Sequence, residues 1–147
     1  MKRFRGRVIV SGRVRATALV SHDPVDLPES FRKSLQSKDK LAICSDERNR
    51  ELFGKPMAGK ALCLSQCVDS TEGGVVLYCA CAMDRQPACM LFSEPIAPTA
   101  AAGAIMTSVW LEKVQLPVID SLGEAFLRYV EDGMVVTLEG DGIVRVE

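Results

Sequence analysis

Histidine, the side chain that most often acts as a general base or metal ligand, occurs only once among the 147 residues, as His22. A Ser-His-Asp triad would have to use His22, and nothing in the spacing of the sequence supports one. A Cys2His2 zinc site cannot be completed with a single histidine. The sequence also lacks a G-x-S-x-G elbow, a G-x-G-x-x-G loop and a G-x-x-x-x-G-K-[ST] loop. These absences argue against serine hydrolases, dinucleotide-binding folds and P-loop nucleotide hydrolases.

Long apolar runs are missing as well. The longest uncharged run, residues 95–111, contains proline, glycine, threonine and serine. It is too short and too interrupted to span a bilayer, which takes about 20 apolar residues. At the basic N-terminus, Arg7, Arg13 and Arg15 interrupt any apolar core of a signal peptide. We therefore expect a cytoplasmic protein with no membrane partner, in which thiols stay reduced.

The charges nearly cancel, with 18 Lys and Arg against 19 Asp and Glu and a formal net charge of −1. Six of the basic groups nevertheless lie within the first fifteen residues, at positions 2, 3, 5, 7, 13 and 15. Nucleic-acid binding needs a concentrated positive surface, so this basic end alone is weak evidence for it. We interpret these residues as the solvated face of strands and expect no nucleic-acid partner.

The six cysteines do not follow a familiar metal-binding pattern. Cys63 and Cys67 have C-x3-C spacing and Cys79 and Cys81 have C-x-C spacing, neither of which is the paired C-x2-C of a zinc ribbon or a ferredoxin run. Cys79, Cys81 and Cys89 lie in apolar stretches, where free cysteine behaves as a small buried hydrophobe. We interpret the cysteines as structural thiols and expect no metal on this chain. A metal or redox role for Cys63 and Cys67 is kept as a weaker hypothesis, the third after the two functional hypotheses that close this section.

The composition is that of a soluble globular protein, with 48% apolar and 25% charged residues. The length suits one domain of ordinary size. No internal repeat, low-complexity tract or linker divides the chain. We therefore predict a single domain over residues 1–147.

Residue patterning predicts a chain that begins and ends in strand pairs. The polar, irregular segment 27–53 is the hardest to interpret; it is compatible with a short helix near 31–35 and a short strand at 41–44. The uncharged segment 73–83 is long enough for a buried helix, and a strand is the alternative for it. The other predicted strands are 4–14, 16–20, 60–65, 89–92, 116–119, 134–138 and 143–146.

Two further helices are predicted from their start signals. Ser121 and Glu124 form a capping box that precedes apolar residues at helical spacing. Thr99 can cap an alanine-rich helix over 100–107. Strands and helices therefore alternate between the terminal strand pairs. This order predicts the fold class α/β, as a compact β/β/α domain with helices packed on the sheet.

The loop 66–74 is the one segment whose residues suggest chemistry. It follows a predicted strand and precedes the apolar segment, so Ser70 or Thr71 would lie at a helix N-terminus. An ordinary N-cap is one interpretation, because serine and threonine satisfy unpaired backbone N–H groups there. An anion site is the other, because the same N–H groups and the helix dipole stabilise negative charge. The residues by themselves favour the N-cap.

This loop also carries a family resemblance. Read without gaps, the segment from Gly59-Lys60-Ala61-Leu62 through Ser70-Thr71 to Leu77-Tyr78 resembles the small subunit, or swivel domain, of the aconitase X family. That family's pattern is a G-K/R-x-L-V strand, a glycine-rich G-x-G-S-[ST] loop and an apolar helix. The resemblance covers most of the chain, because further short motifs match in order: Gly6-Arg7, Gly12, Ala18-Leu19-Val20-Ser21, Pro24, Pro87-Ala88, Gly103-Ala104-Ile105, Leu116-Pro117-Val118-Ile119-Asp120, Gly133-Met134-Val135-Val136 and Gly142-Ile143-Val144.

The resemblance implies a swivelling β/β/α domain similar to the last domain of aconitase. It implies a heterodimer with a large catalytic subunit that holds an iron–sulfur cluster on its own cysteines, so that this chain alone binds no cofactor and is colourless and inactive. The implied activity is that of a hydro-lyase, as in archaeal phosphomevalonate dehydratase and bacterial cis-3-hydroxyproline dehydratase. Ser70 would be the proton acceptor and would lie exposed, while Thr71 and Gly73 would bind the small hydroxy acid substrate.

The chain departs from the family pattern at three places, one of which is Gly74, where the family commonly has a second serine. A glycine pair follows the Pro24 position in the family, whereas this chain has Val25-Asp26-Leu27-Pro28-Glu29-Ser30. Cys67-Val68-Asp69 replaces the glycine-rich loop before the serine. The charge of Asp69 would oppose formation of an alkoxide at Ser70 unless its carboxylate is directed elsewhere.

Two functional hypotheses follow. The first is the small subunit of an aconitase X-like hydro-lyase, which supplies the serine base to an iron–sulfur large subunit and is active only with it. The alternative is a divergent, non-catalytic swivel module that binds a partner subunit and stabilises or regulates it.

Overall fold

The first two strands, β1 (Lys2–Arg5) and β2 (Arg7–Val10), are separated only by Gly6 and yet lie at opposite ends of an eight-stranded sheet. The structure is a computed structural model that describes all residues 1–147. The remaining elements, in chain order, are β3 (Arg13–Ser21), α1 (Leu27–Leu35), β4 (Ala61–Leu64), α2 (Gly73–Ala82), β5 (Cys89–Phe92), α3 (Pro98–Trp110), β6 (Val118–Asp120), α4 (Glu124–Tyr129), β7 (Val135–Glu139) and β8 (Ile143–Val146).

The strand order is β1-β8-β7-β3-β4-β5-β6-β2, so the chain between β1 and β2 nearly closes the sheet on itself. Strands β3 to β6 run parallel to one another, and the other pairs are antiparallel. The closure depends on a close approach at Gly6, where an added side-chain carbon would lie 2.5 Å from the carbonyl oxygen of Asp120. Glycine is the residue that permits such an approach.

Two hydrophobic clusters cover the two faces of the parallel strands. Leu62 and Leu64 of β4 point into the cluster under α1, α2 and α3. Ala61 and Cys63 of the same strand point into the cluster formed with α4 and the antiparallel strands. This alternation is the two-residue period of a strand, and burial on both faces explains why β4 and β5 contain no polar residue.

Several local predictions are confirmed. The uncharged segment at 73 is a helix, α2, rather than the alternative strand. The terminal hairpin of β7 and β8 and the short buried strand β5 lie where the sequence predicts them. Most of the basic side chains near the N-terminus lie on exposed positions of β1, β2 and β3.

No helix in the chain combines the length and the apolarity that a membrane crossing requires.

Two local predictions of strands are wrong. The predicted strand 4–14 is three separate strands, because the chain changes partner at Gly6 and again before Arg13. Residues 41–44 form no strand, since only Ile43 pairs, in an isolated bridge with Pro56. The segment from 36 to 60 is held instead by turns and by single hydrogen bonds to its neighbours.

The two predicted helix caps are also wrong. Ser121 does not begin α4: its φ is +56°, and Gly123, with φ +92°, precedes the first helical residue Glu124. Thr99 lies inside the first turn of α3, after Ala97 at the N-cap. In both cases the preceding strand or loop fixes where the chain can turn, and the local capping signal does not decide it.

The architecture as a whole confirms the predicted fold class, a mixed α/β fold with helices packed on the sheet.

Candidate active site

The carboxyl ends of the four parallel strands lie along one edge of the sheet, and the loop that carries Ser70 starts there. It leaves β4 after Leu64 and reaches α2 at Gly73. In α/β sheets, ligands bind outside the carboxyl ends of the strands, because the loops converge there while the strands supply a rigid base. The fold therefore places the loop 65–72 where a site is expected.

The middle of this loop is tied to the segment before α1. The amide of Val25 donates to the carbonyl of Gln66, and the amide of Val68 donates to the carbonyl of Val25, both at 2.9 Å. Cys67, between them, is buried in the core cluster. Burial, with a smaller contribution from the charge of Asp26, raises the pKa of the Cys67 thiol to about 12. Cys67 is therefore an uncharged anchor of the loop at neutral pH.

Ser70 lies three residues before the first residue of α2 and is half-buried rather than exposed. Its hydroxyl oxygen accepts a hydrogen bond of 3.2 Å from the amide of Glu72, and its carbonyl accepts one of 3.2 Å from the amide of Gly73. Glu72 occupies the N-cap position and makes no side-chain capping bond. The Ser70 hydroxyl proton has no acceptor within the chain, so the side chain keeps one bond free for an external group.

Two backbone N–H groups at the start of α2 have no hydrogen-bond partner. The amides of Gly74 and Val75 make no bond within the chain, whereas that of Val76 donates to the carbonyl of Glu72 at 2.9 Å. Unpaired amides at a helix N-terminus, together with the helix dipole, stabilise negative charge. The helix end beside Ser70 thus has the donors that an oxyanion needs.

Asp69, the acidic neighbour of Ser70, is engaged by α3. The hydroxyl of Thr99 donates to the Asp69 carboxylate at 3.3 Å. Thr99 lies in the first turn of α3, the end of a helix at which the dipole stabilises negative charge. The loop is consequently tied to α3 as well as to the segment before α1.

The two predicted substrate-binding residues differ in their surroundings. Thr71 is exposed, and its hydroxyl makes no bond within the chain. Gly73 is buried, and its amide is already used by Ser70. An added carbon on Gly73 would meet only ordinary contacts at 3.9 Å, so glycine is not required there. Of the two, Thr71 is the one whose side chain is free to contact a ligand.

Gly74 has a packing role that its sequence motif does not reveal. A side-chain carbon on Gly74 would lie 2.3 Å from the carbonyl oxygen of Thr99, and one on Gly103 would lie 2.4 Å from that of Gly74. The backbones of α2 and α3 therefore touch beside the loop. The signal in the sequence was Gly103 in the middle of the α3 segment, a position that is unfavourable for glycine unless close packing requires it.

A cleft of about 390 Å³ opens at the same edge of the sheet near α4. His22 lies on its wall, and its ring Nδ1 is 2.8 Å from a carboxylate oxygen of Glu51. The hydrogen bond with Glu51 raises the pKa of His22, although partial burial of the ring opposes the shift. Ser65 also lines the cleft, and its buried hydroxyl has no hydrogen-bond partner. The sequence showed no sign of this pair because its members are 29 residues apart.

Asp120, at the end of β6, fixes the loop that leads into α3. Its buried carboxylate accepts two hydrogen bonds from the Arg7 guanidinium, at 2.9 and 2.6 Å, and one from the amide of Ile96 at 2.8 Å. Burial opposes ionisation, but the Arg7 hydrogen bonds and the Ile96 amide outweigh it and lower the pKa of Asp120. This carboxylate joins β2, β6 and the α3 loop.

The structure does not bring the cysteines of the third hypothesis together. Cys63 packs in the cluster on the α4 face of the sheet and Cys67 in the cluster on the other face. Burial raises the pKa of the Cys63 thiol, as it does for Cys67. No group of three or more His, Cys, Asp and Glu side chains in the chain is arranged to hold a metal ion.

Comparisons with known proteins match the chain over almost its whole length. The sequence model of the family described as "Aconitase X swivel domain" matches residues 3–146. The phosphomevalonate dehydratase small subunit of Methanocella arvoryzae is 28% identical over 144 residues, which are 97% of this chain and 98% of that protein. The phosphomevalonate dehydratase small subunit of Aeropyrum pernix is 26% identical over 144 residues, 98% of this chain and 92% of that protein.

A solved structure has the same fold. The crystal structure of Thermococcus kodakaraensis aconitase X in its holo-form superposes with a TM-score of 0.81, covering 100% of this chain and 99% of that one at 23% identity.

Proposed function

The chain belongs to the aconitase X swivel domain family, and on that premise we propose that it is the small subunit of a hydro-lyase that removes water from a small hydroxy acid. The names of its two relatives support this proposal, because both are dehydratase small subunits that align over nearly the full length of each chain. The observation that carries it is the placement of Ser70 beside unpaired amides at the start of α2.

Ser70 is the proposed base. In the dehydration, a C–H bond of the substrate gives its proton to the base, the adjacent C–OH bond breaks, and a C=C bond forms between the two carbons. Serine accepts this proton as an alkoxide, which is accessible near neutral pH only where its negative charge is stabilised. The unpaired amides of Gly74 and Val75 and the dipole of α2 supply that stabilisation. Thr71, exposed beside Ser70, is proposed to contact the substrate.

The remaining machinery is proposed to reside in a large partner subunit. This chain has no cluster of metal-binding side chains, and its cysteines are mostly buried in the core, so it does not fit an iron–sulfur cluster of its own. An iron–sulfur cluster on the partner would supply a Lewis acid for the leaving hydroxyl group. Closure of the two subunits would exclude water from the loop of Ser70.

The substrate class proposed is a hydroxy acid. A mevalonate phosphate is the first compound to test, because both relatives are named for phosphomevalonate. cis-3-Hydroxyproline is the second, as the other activity that the family resemblance implies.

One observation favours the non-catalytic alternative. The hydrogen bond from the Glu72 amide to the Ser70 hydroxyl is the ordinary turn that serine makes with the backbone two residues on. Ser37 makes the same bond with Asp39, at 2.9 Å, in a surface turn. Under this alternative, Ser70 has only a structural role in the loop.

Ser37 therefore provides the matched control for the test. The chain is reconstituted with the large subunit from the same organism, and turnover of both hydroxy acids is measured for wild type, Ser70→Ala and Ser37→Ala. We expect Ser70→Ala to lose about 10²–10⁴-fold in kcat with assembly intact, as for loss of a general base. Ser37→Ala keeps wild-type turnover. If Ser70→Ala retains turnover and only lowers the melting temperature, Ser70 is structural and the non-catalytic alternative is favoured.

A further inference from the structure

Helix α3 turns its small residues toward the sheet and its large apolar residues toward solvent. The buried positions are Ala100, Gly103, Ala104 and Thr107. The exposed apolar residues recur at spacings of three and four and form one stripe, beside the exposed Ser108. We call it the outward stripe: Ala102, Ile105, Met106, Val109 and Trp110. The side chains of Val109 and Trp110 are 65% and 71% exposed. A helix that packs only on its own sheet shows the opposite arrangement.

No charge interrupts the stripe along α3. Neither α2 nor α3 contains an Asp, Glu, Lys or Arg. Contiguous exposed apolar patches mark interaction sites in soluble proteins. A membrane surface is disfavoured as the partner, because helices that lie on lipid carry Lys and Arg along their polar face. Anchors at i, i+3, i+4 and i+7 are those of a helix that docks into a groove of another protein.

We propose that the outward stripe is a docking surface for the large subunit, which buries it in an apolar groove. The proposal rests on the function proposed above. The size of the stripe favours this partner over a second copy of the chain. A stable interface engages about 20–30 residues on each side, and five side chains meeting their own copies fall well short of that. A partner that also covers the loop of Ser70 makes up the difference.

The stripe and the loop of Ser70 are joined mechanically. Thr99, at the start of α3, holds Asp69, the residue before Ser70. Farther along α3, Gly103 holds the backbone of α2 at Gly74. A groove of the large subunit that binds the outward stripe therefore determines where Ser70 lies relative to that subunit. Docking on α3 aligns the base with the substrate, which is the role that swivel-domain closure requires.

Trp110 makes the proposal measurable, because it is the single tryptophan of the chain. The small subunit is labelled with 5-fluorotryptophan and its ¹⁹F resonance is recorded alone and with unlabelled large subunit. We expect the resonance to shift in the complex and its H₂O/D₂O solvent effect to fall, because the ring leaves water.

Affinity is measured in parallel by titration calorimetry for wild type, Val109→Glu and Trp110→Ala. Both side chains are more than half exposed, so the fold does not depend on them. We expect each change to raise the dissociation constant of the complex by at least about tenfold, as for a central interface residue. Leu41→Glu is the matched control, since Leu41 is a 54% exposed apolar residue outside α2 and α3. It should bind like wild type.

The outcomes separate the two proposals. If the complex forms while Trp110 remains exposed to water, and Val109→Glu leaves its dissociation constant unchanged, the docking surface is overturned and the proposed function stands. Failure of the wild-type chains to associate at all overturns the proposed function and the docking surface with it. A small subunit that dimerises alone, with Trp110 shielded, assigns the stripe to a second copy and overturns the large subunit as its partner.

Discussion

Gly74 and Gly103 bring the backbones of α2 and α3 into contact. A side-chain carbon on Gly103 would lie 2.4 Å from the carbonyl oxygen and 2.5 Å from the α-carbon of Gly74. Helices approach so closely only where neither carries a side chain. Because α2 begins directly after the loop of Ser70, this contact fixes the candidate base against α3.

The contact predicts a difference between two neighbouring glycines. Gly74→Ala should lower the free energy of unfolding by about 1–3 kcal/mol or more, since the added methyl group forces the helices apart. Gly73→Ala is the control, because the new carbon meets only ordinary contacts at 3.9 Å. It should be neutral or raise stability by up to about 1 kcal/mol, from the lower chain entropy of alanine. Urea unfolding of both variants decides; equal effects would contradict the close contact.

The ion pair of His22 and Glu51 predicts a stability that depends on pH. Because the pKa of His22 is raised by Glu51, the stabilisation is complete below the unfolded value of about 6.5 and is lost as pH rises through the folded value. The free energy of unfolding should therefore fall with rising pH in this window.

Glu51→Gln should remove this pH dependence and return the pKa of His22 toward about 6.5. The pKa is measured by NMR titration of the single imidazole. Glu47→Gln, at an exposed glutamate of the same segment with no ion pair, should change neither. An unshifted imidazole titration in wild type would show that the pair does not form in solution.

Asp120 predicts a loss of stability in acid. Its pKa is lowered in the folded state, so its contribution is present above the unfolded value of about 3.9 and is lost as pH falls through the folded value. Asp120→Ala should cost about 1–3 kcal/mol at neutral pH, because the buried amide of Ile96 loses its acceptor. The same variant should flatten the acid limb of the stability profile, measured by urea unfolding from pH 3 to 7. A profile that matches wild type would exclude Asp120 as the titrating group.

The cysteines predict a graded reactivity. Five of the six are buried, and Cys79 is half-buried. Iodoacetamide should therefore modify Cys79 first in the native protein, while Cys67 and Cys89, whose pKa values burial raises to about 12, react only after unfolding. Mass spectrometry of timed digests measures the order. Rapid modification of Cys67 would revive the redox hypothesis for Cys63 and Cys67.

The sequence correctly predicted the structure of those segments in which nearby residues alone determine the local conformation. The apolar run of β5 and the turn between β7 and β8 are predictable, because their patterns repeat within a few residues. The position of the Ser70 loop after a strand was predictable for the same reason. For the uncharged segment 73–83 the sequence left a helix and a strand open, and the structure shows the helix α2. The caps at Ser121 and Thr99 were not, since the strands and loops that precede them decide where each helix begins.

By itself, then, the sequence determined most of the strands, the α/β class and, through motifs in fixed order, the family. Only the tertiary structure decided which face of each element is buried and which distant residues meet. In the folded chain, segment 4–14 is divided among strands that include both ends of the sheet. His22 contacts Glu51, and the larger apolar side chains of α3 are exposed to solvent. Periodicity shows that a helix has an apolar face, but it cannot show which face the sheet covers when both are apolar. That choice depends on packing between residues far apart in the chain.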